Sequence, residues 1–389
     1  MLKNEQIIYI GNDWFADNKT SSHQIAGLLS EHNDILYVEA AGQRAPKASK
    51  RDLLKIVRKL AQAWSNPVNV HNRLHRFAPL ILPFHRFAIV RRFNKSILAW
   101  SIKRAARKVG FDNPILWIIL PHYSSLAQTI ERRKGIVYYV VDEYASLPDV
   151  DPERIRSMEQ TVLHAADIVF TVSEVLTERK RVDNENTYFS PHGVDTEHFM
   201  RALDADLEKP PDLADVPGRV VGFFGLIEAW VDLELIAHMA KARPDTSFVL
   251  IGRVAQETTA VDGLPNVYLL GQRPYASMPA YMKYFDVCLI PFVVNDVIEN
   301  SNPLKLKEYL AGGKPVVTVP IRAVDDYRDH IYVAGTYDEF LDCVDRALEE
   351  DSPERARARV AAMEPESWPA KVDVICERVS RHIPGVHNE

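Results

Sequence analysis

A short segment at residues 300–317, NSNPLKLKEYLAGGKPVV, combines residue types that bind phosphate and hydroxyl groups. Asn302 is expected to cap a helix, with Pro303 in the first helical position, where its missing N–H costs nothing. The free N–H groups and the positive dipole end of such a helix attract a diphosphate. Lys305 and Glu308 share one helix face, where a lysine neutralises phosphate and a carboxylate accepts hydrogen bonds from ribose hydroxyls. The alternative is an ordinary capped helix that carries a solvent-exposed Lys/Glu pair.

The bulk properties of the chain fit a globular protein of two domains. Its 389 residues are enough for two domains of roughly 150–200 residues, and its apolar fraction of 47% is ordinary. The three cysteines are far apart and lack metal-ligand or disulfide spacing, which fits a reducing compartment. The first residues do not form a signal-peptide pattern, and no run of 18 apolar residues predicts a membrane-spanning helix. We therefore expect a cytoplasmic protein.

Residues 53–111 form a basic segment with an unusual charge pattern. It contains 13 Lys or Arg and no Asp or Glu, although the whole chain has a formal net charge of −6. Aromatic residues such as Phe93 and Trp100 lie among these charges. This composition is typical of a segment that binds an anionic membrane surface, where each cation contributes about 1 kcal/mol. The alternatives are a basic face covered by an acidic partner domain and a nucleic-acid patch, which the acidic overall balance disfavours.

Apolar runs of strand length alternate with helical patterns along both halves of the chain. In the first half we predict strands at 7–10, 35–38, 114–120, 136–141, 168–171 and 187–190, and helices at about 21–30, 50–64, 94–109 and 152–166. In the second half we predict strands at 219–224, 247–251, 267–269, 287–290 and 316–319, with a helix at 231–241. Such alternation predicts an α/β fold with two doubly wound parallel sheets, which bind ligands at the carboxyl ends of their strands.

Composition also predicts where the domains begin and end. Residues 203–217 are rich in proline and acidic residues, and this composition predicts a linker between the domains. The first domain is then expected at 1–202 and the second at 218–365. An amphipathic pattern at 366–382 predicts a final helix within the last segment, 366–389.

The order of sequence blocks in the second half resembles the GT-B superfamily, and most closely its group 1 and exopolysaccharide glycosyltransferases. The blocks are VVGFFGLIEAWVDLELI, FVLIGRV, LPNVYLLGQRPYASMPAYMKYFDVCLIPF and NSNPLKLKEYLAGGKPVV, which cover most of residues 219–319. PHGVD at 191–195 resembles the segment before the chain crosses between domains, and the helix around Trp368 resembles the one that crosses back. The resemblance implies a GT-B fold with an interdomain cleft, and a hexosyltransferase that uses a nucleotide-sugar donor.

The resemblance also implies a donor site, with two departures. Retaining members carry two glutamates eight residues apart; Glu308 matches the second, but Asn300 stands at the first, with Glu299 beside it. The Arg/Lys pair that binds diphosphate in retaining members is absent from residues 225–230. These departures weaken the case for a retaining mechanism, and the missing Arg/Lys pair favours inversion. The implied donor site comprises Gly225, Arg253, Pro274, Tyr275, Phe292, Asn300, Ser301, Asn302, Leu304, Lys305 and Glu308. Among these, Pro274, Tyr275 and Phe292 would flank the base, unless the aromatic residues belong to the core.

Two adjacent carboxylates, Asp142 and Glu143, follow the predicted strand at 136–141. A carboxylate at a strand end can take the proton from an acceptor hydroxyl, and burial beside a tyrosine would raise its pKa. The inverting glucuronosyltransferases of the xanthan type, which the chain loosely resembles, use an aspartate in this region. We therefore expect Asp142 to be the general base, with Glu143 as the alternative. Both residues could instead cap the following loop.

Polar residues that follow two of the predicted strands are expected to face the acceptor. His23 is a candidate for proton transfer or for binding an anionic acceptor. Asp13, Trp14, Ser22 and His122 are candidates for acceptor contacts. The alternative is that these histidines are ordinary polar surface residues.

No metal or other cofactor is expected, because no Asp-x-Asp lies in a loop where it could hold a cation on a diphosphate. The helix dipole and Lys305 would stabilise the leaving group instead. The sequence thus predicts a metal-independent, inverting transfer from a nucleotide-sugar, with UDP the expected nucleotide. The acceptor would be lipid-linked or a polysaccharide at the cytoplasmic membrane face. The alternatives are a nucleotide-sugar epimerase or hydrolase of the same fold, or a non-catalytic scaffold.

Overall fold

The computed structural model describes residues 1–15, 20–40, 66–79, 88–146, 150–299 and 301–388. The helix predicted at 50–64 and the candidate donor residue Asn300 lie outside the described residues. The described part of the basic segment comprises 66–79 and 88–111.

The chain divides into two compact units, Met1–Pro191 with Val372–Glu389, and His192–Lys371. Residues 192–217 therefore lie in the second unit, whereas the sequence placed them in the first domain and the linker. They do so because Phe199, Leu213 and their apolar neighbours are buried in the core of the second unit. The proposed domain functions stay predictions.

The first unit is built on an eight-stranded sheet. Its strands are β1 (Gln6–Gly11), β2 (Asp34–Glu39), β3 (Val68–His71), β4 (Leu74–Phe77), β5 (Ile115–Ile118), β6 (Gly135–Val140), β7 (Ile168–Thr171) and β8 (Thr187–Phe189). They lie in the order β3-β4-β2-β1-β5-β6-β7-β8. All described pairings are parallel except β3 with β4. Every residue of β5 and β6 is buried, as expected of continuous apolar runs covered on both faces.

The helices of the first unit connect these parallel strands. They are α1 (Ser21–Leu29), α2 (Ala88–Lys108), α3 (Ser125–Thr129), α4 (Pro152–Ala165) and α5 (Glu174–Arg181). The helix predicted at 94–109 is confirmed but begins earlier. Thr20 is the N-cap of α1, and its N–H donates to Nδ1 of His23 at 3.0 Å, which completes a capping box.

The second unit is built on a fully parallel six-stranded sheet. Its strands are β9 (Arg219–Phe224), β10 (Thr246–Ile251), β11 (Val267–Gly271), β12 (Val287–Ile290), β13 (Val316–Thr318) and β14 (Tyr332–Val333). They lie in the order β11-β10-β9-β12-β13-β14. The five strands predicted here are confirmed. A strand order that reverses beside β9 creates a crevice at the carboxyl ends of the central strands.

The remaining helices of the described fold lie between and after the strands of this sheet along the chain. They are α6 (Thr196–Met200), α7 (Leu233–Ala242), α8 (Met278–Lys283), α9 (Asp296–Glu299), α10 (Leu304–Ala311), α11 (Tyr337–Glu350), α12 (Pro353–Ala362) and α13 (Trp368–His382). Asp232 begins α7 by accepting the N–H of Leu235 at 2.9 Å. No helix among the described residues is long and apolar enough to cross a bilayer.

Two segments of the second unit run side by side where the chain enters and leaves it. Val194 N–H donates to the carbonyl of Glu366 at 2.9 Å, and Trp368 N–H donates to the carbonyl of Val194 at 3.2 Å. Lys307 of α10 connects the two segments through hydrogen bonds. Its buried Nζ donates to the carbonyl of His192 and to Glu366 Oε2, the latter at 2.6 Å. Burial lowers the pKa of Lys307 to about 8.

Candidate active site

Helix α10 begins one residue later than the sequence suggested. Pro303 occupies the N-cap position, and no side chain caps the helix there. Asn302 therefore does not act as the predicted cap: its Oδ1 is buried and accepts no hydrogen bond within the described residues. The fixed φ of Pro303 sets the direction of the chain into α10 instead. The first turn of α10 keeps free N–H groups and an uncapped positive end.

Lys305 and Glu308 lie on one face of α10, as predicted. Lys305 Nζ donates to Glu308 Oε2 at 3.0 Å. The carboxylate is buried, with 8% of its side chain exposed, whereas Lys305 retains 26% exposure. Lys305 also lies over the ring of Phe224, with Nζ 5.3 Å from the ring centre. A partly exposed ammonium held beside a helix N-terminus is suited to neutralising a bound phosphate.

The ends of two central strands lie next to this pair. Gly225 has φ +155, a backbone conformation that favours glycine, and a Cβ added there would lie in tight contact with Lys305 Cε, at 3.3 Å. Gly252, after β10, has φ +152, and a Cβ there would lie 1.7 Å from the carbonyl oxygen of Gly225. The glycines let the backbone after β9 and β10 come close to α10 and to any ligand at that edge.

Tyr275 also belongs to this neighbourhood. Its ring stacks on His198, with the ring centres 4.5 Å apart and the planes 12° apart. Burial, followed by the negative charges of Glu308 and Asp195, raises the pKa of Tyr275 well above its usual value. Sequence reasoning missed His198, although it lies only three residues beyond the PHGVD segment.

The remaining donor candidates lie at the same edge but have local roles in the structure. Ser301 Oγ donates to the carbonyl of Ile298 at 2.7 Å, and Phe292 packs edge-on against Phe223. Pro274 begins the short 3₁₀ turn at 275–277, Arg253 is exposed after β10, and Leu304 is half-buried at the start of α10. Their contacts with a donor stay predictions.

In the first unit, Asp142 and Glu143 follow β6 and differ sharply in surroundings. Solvent reaches the side chain of Asp142, yet the protein around it desolvates the carboxylate and raises its pKa to about 6. Glu143 is largely buried and pairs with Lys180, whose Nζ lies 3.2 Å from Oε2. An exposed carboxylate with a pKa near neutrality is the form that general base catalysis requires.

The candidate acceptor residues near β1 pack against one another. Nε2 of His23 lies 2.7 Å from the carbonyl oxygen of Asp13, and Nδ1 accepts from Thr20, so both ring nitrogens have local partners. The Trp14 ring is buried, 5.6 Å from His23 and 5.0 Å from Tyr37. In this structure, therefore, His23 positions the chain between β1 and α1, and its role in proton transfer stays a prediction.

Two further acceptor candidates are close to these strand ends. Ser22 is buried, with its Oγ 2.9 Å from Thr20 Oγ1. His122 lies in the 3₁₀ turn Pro121–Tyr123, immediately after β5, and is half-buried. Because β5 lies between β1 and β6, His122 follows the strand that separates the two groups of candidates. Within the described ranges, no group of three or more His, Cys, Asp or Glu could hold a metal ion.

One family model matches the part of the chain that carries this geometry. Residues 218–350 match the family model described as "Glycosyl transferases group 1". The second unit contains a group 1 glycosyltransferase domain. The match covers β9 through α11 and thus includes Gly225, Tyr275 and the Lys305–Glu308 pair.

Two curated bacterial relatives match more than half of the chain. The chain is 26% identical over 264 residues to the putative teichuronic acid biosynthesis glycosyltransferase TuaH of Bacillus subtilis, covering 61% of this chain and 64% of the relative. It is 25% identical over 220 residues to the putative colanic acid biosynthesis glycosyl transferase WcaI of Escherichia coli, covering 53% and 51%. The matches thus span about half to two-thirds of each relative's length.

Solved structures extend the comparison beyond the group 1 domain to the whole chain. Anabaena HepE in complex with UDP and glucose matches with a TM-score of 0.66 at 16% identity, covering 98% of this chain and all of the other. Sucrose-phosphate synthase from Thermosynechococcus elongatus matches with a TM-score of 0.69 at 14% identity, covering 97% and 98%. These likenesses show the GT-B fold, with its two Rossmann-like domains.

Proposed function

We propose that the protein transfers a sugar from a nucleotide diphosphate sugar, with UDP as the nucleotide, to a lipid-linked or polysaccharide acceptor. The observation that carries the proposal is the Lys305–Glu308 pair at the uncapped start of α10, beside the glycine ends of β9 and β10. This edge offers a cation, helix N–H groups and a carboxylate acceptor, which together suit a diphosphate and a ribose. The group 1 family match and the UDP complex of HepE support the same donor.

The proposed reaction inverts the anomeric carbon in one displacement. The acceptor hydroxyl attacks that carbon, a new C–O bond forms, and the bond to the diphosphate oxygen breaks. Asp142 accepts the proton of the hydroxyl, while Lys305 and the N–H groups of α10 stabilise the negative charge on the departing nucleoside diphosphate. We propose that this stabilisation requires no metal ion. Exclusion of water around the donor would limit its hydrolysis.

A polysaccharide product fits the two curated relatives, which are named for teichuronic acid and colanic acid biosynthesis. We propose that the acceptor is met at the cytoplasmic face of the membrane and that α2 binds the bilayer. The described part of α2 exposes Phe93 by 53% and Trp100 by 50%. Its cations Arg92, Lys95, Lys103, Arg107 and Lys108 occur in a segment without Asp or Glu, which complements an anionic lipid surface.

The first test is a thermal-shift screen against UDP, GDP, ADP and TDP, with magnesium and with EDTA. We expect UDP to stabilise the protein equally under both conditions, since a ligand at 100 times its Kd adds about 2.7 kcal/mol. When that nucleotide is linked to a labelled sugar, the label should then be recovered in a lipid or polysaccharide fraction. Failure of all four nucleotides to shift the melting temperature would overturn the proposal, and a shift that needs magnesium would overturn its metal-independent form.

Membrane binding by α2 makes a separate prediction. The double variant Lys103→Glu/Arg107→Glu should bind phosphatidylglycerol vesicles at least about 30-fold more weakly, because each cation near an anionic surface contributes about 1 kcal/mol. Co-sedimentation at several salt concentrations measures this. The matched control, Lys241→Glu/Arg357→Glu, reverses two exposed charges of the second unit and should change vesicle binding little. Equal binding to phosphatidylcholine vesicles would contradict the electrostatic proposal.

A further inference from the structure

A buried lysine joins two glutamates behind the carboxyl end of β6. Lys180 lies in the last turn of α5, and only 9% of its side chain is exposed. Its Nζ lies 3.2 Å from Glu143 Oε2 and 2.8 Å from Glu159 Oε2. A charge that is buried to this extent persists only when paired. The lysine therefore links the residue beside Asp142 to the body of the first unit.

The second glutamate anchors this lysine to the sheet. Glu159 lies on α4 with 3% of its side chain exposed, and its Oε1 accepts from the hydroxyl of Tyr138 at 3.1 Å. Tyr138 belongs to β6, the strand that ends just before Asp142 and Glu143. The network of Tyr138, Glu159, Lys180 and Glu143 thus starts and ends on one strand and its following loop, so it fixes the direction in which that loop leaves the sheet.

This network gives the two adjacent carboxylates, Glu143 and Asp142, different surroundings. The side chain of Glu143 is 11% exposed, and Arg179 also approaches it, with NH1 3.8 Å from Oε2. Asp142, by contrast, is exposed and makes no side-chain hydrogen bond or ion pair with the described residues. Glu143 is therefore held against α5 as an ion-pair partner, and Asp142 is the member of the pair that a substrate hydroxyl can reach.

We propose that Lys180 is a positioning residue that holds Glu143 against α5 and thereby leaves Asp142 as the one carboxylate of this pair able to act as base. This inference rests on the proposed function, because it names the residue that selects the base for that reaction. It assigns Lys180 no contact with substrate.

The charged groups around the network determine what loss of Lys180 would do. Lys180 faces Glu143 on the loop and Glu159 on α4, while Arg179 faces Glu143 from α5 and Tyr144 lies near Asp142. Without the lysine, Glu143 keeps the more distant Arg179 at 3.8 Å, and Glu159 keeps the hydroxyl of Tyr138. Glu143 is then free to turn toward Asp142, where its negative charge would raise the pKa of Asp142 further.

Carbodiimide labelling read by peptide mass spectrometry tests the inference without any need for turnover, because carbodiimide activates protonated carboxyl groups. In the wild-type protein Asp142 should label with a midpoint near pH 6, and Glu143 should be protected. In Lys180→Met, Glu143 labelling should rise at least fivefold, and the Asp142 midpoint should move to higher pH. Unchanged labelling of both residues would overturn the inference.

A matched control removes another lysine of the same unit. Lys134 pairs with the buried Glu5 at 2.6 Å, at the amino-terminal edge of the sheet, far along the strands from Asp142. Lys134→Met should leave the labelling of Asp142 and Glu143 unchanged. If Lys180→Met does not fold, Lys180→Met/Glu159→Gln removes the charge that would otherwise be left unpaired on α4, and the same labelling pattern is expected.

Turnover supplies a second readout once an acceptor is found. Asp142→Asn lowers kcat by some factor in the wild-type protein. In the Lys180→Met background that factor should be at least ten times smaller, because the released Glu143 can replace the missing base. Costs that multiply independently would contradict the inference. If the wild-type protein transfers no sugar but the labelling is as expected, the proposed function alone is wrong. If it transfers sugar but Lys180→Met does not change the labelling, the role of Lys180 alone is wrong.

Discussion

Replacing Asp142 by Asn is expected to lower kcat about 10²–10⁴-fold, because the amide cannot accept the proton of the acceptor hydroxyl. The substitution keeps the size of the side chain, and Asp142 makes no side-chain hydrogen bond with the described residues. Binding of the donor nucleotide should therefore be unchanged, as measured by the same thermal shift. Steady-state kinetics with labelled donor would give the ratio of kcat values.

The pH dependence of the same variant gives an independent check. Desolvation raises the pKa of Asp142 to about 6, so turnover in the wild-type protein should rise with pH through about pH 6. A carboxyl group with a raised pKa binds a proton more tightly in the folded state, and its contribution to stability is lost as pH rises through the folded-state pKa. Asp142→Asn should consequently raise the melting temperature at pH 8 more than at pH 4.

The control for this prediction is Asp112→Asn, which changes an exposed aspartate paired with Arg132 near the amino ends of the strands. It should leave kcat, the pH profile and the melting temperature nearly unchanged, since exposed pairs contribute little. Turnover of Asp142→Asn at the wild-type rate would remove Asp142 from the mechanism.

Replacing Lys305 by Ala is the second large effect that we expect. Loss of a charged hydrogen-bond donor to phosphate costs about 1.5–3 kcal/mol, which raises the Kd of the nucleoside diphosphate about 10- to 150-fold. Nucleotide at 100 times the wild-type Kd would then add only about 0.4 kcal/mol if Kd rises 100-fold, instead of about 2.7. Calorimetric titration with the diphosphate and with the nucleoside would show whether the loss is specific to the phosphates.

Two comparisons separate binding from folding in this experiment. Lys241→Ala, in the last turn of α7, removes an exposed lysine of the same domain and should leave nucleotide affinity unchanged. The melting temperature of Lys305→Ala without ligand reports the cost of leaving buried Glu308 without its partner. An undiminished thermal shift with nucleotide would refute the assignment of Lys305 to the phosphates.

The strands that position both groups of residues were predictable because their apolar runs are local signals. The run at 136–141 predicts β6 and places Asp142 at its carboxyl end, and the spacing of Lys305 and Glu308 predicts their shared helix face. Helix N-caps were predicted less reliably than strands. Asn302 has the residue type of a cap but stands before Pro303, which itself occupies that position. Asn, Ser and Thr near a helix start compete for one role that depends on backbone direction.

The parts of the site that sequence reasoning missed depend on contacts between distant residues. Nothing local shows that Glu143 pairs with Lys180, 37 residues away, or that His198 stacks on Tyr275, 77 residues away. The choice between Asp142 and Glu143 stayed open for this reason, since both residues have the same chemistry and adjacent positions. The packing of α5 against the loop after β6 distinguishes them physically.

The hydrogen bonds between Val194 and the segment around Glu366 affect how the second unit can be separated or exchanged. A fragment limited to the family match at 218–350 would leave the Lys307 ammonium buried without the Glu366 carboxylate and the His192 carbonyl. It would also lose Phe199 from its core. Grafting of this domain onto a related protein, to exchange nucleotide specificity, should therefore move residues 192–371 together as one autonomous piece.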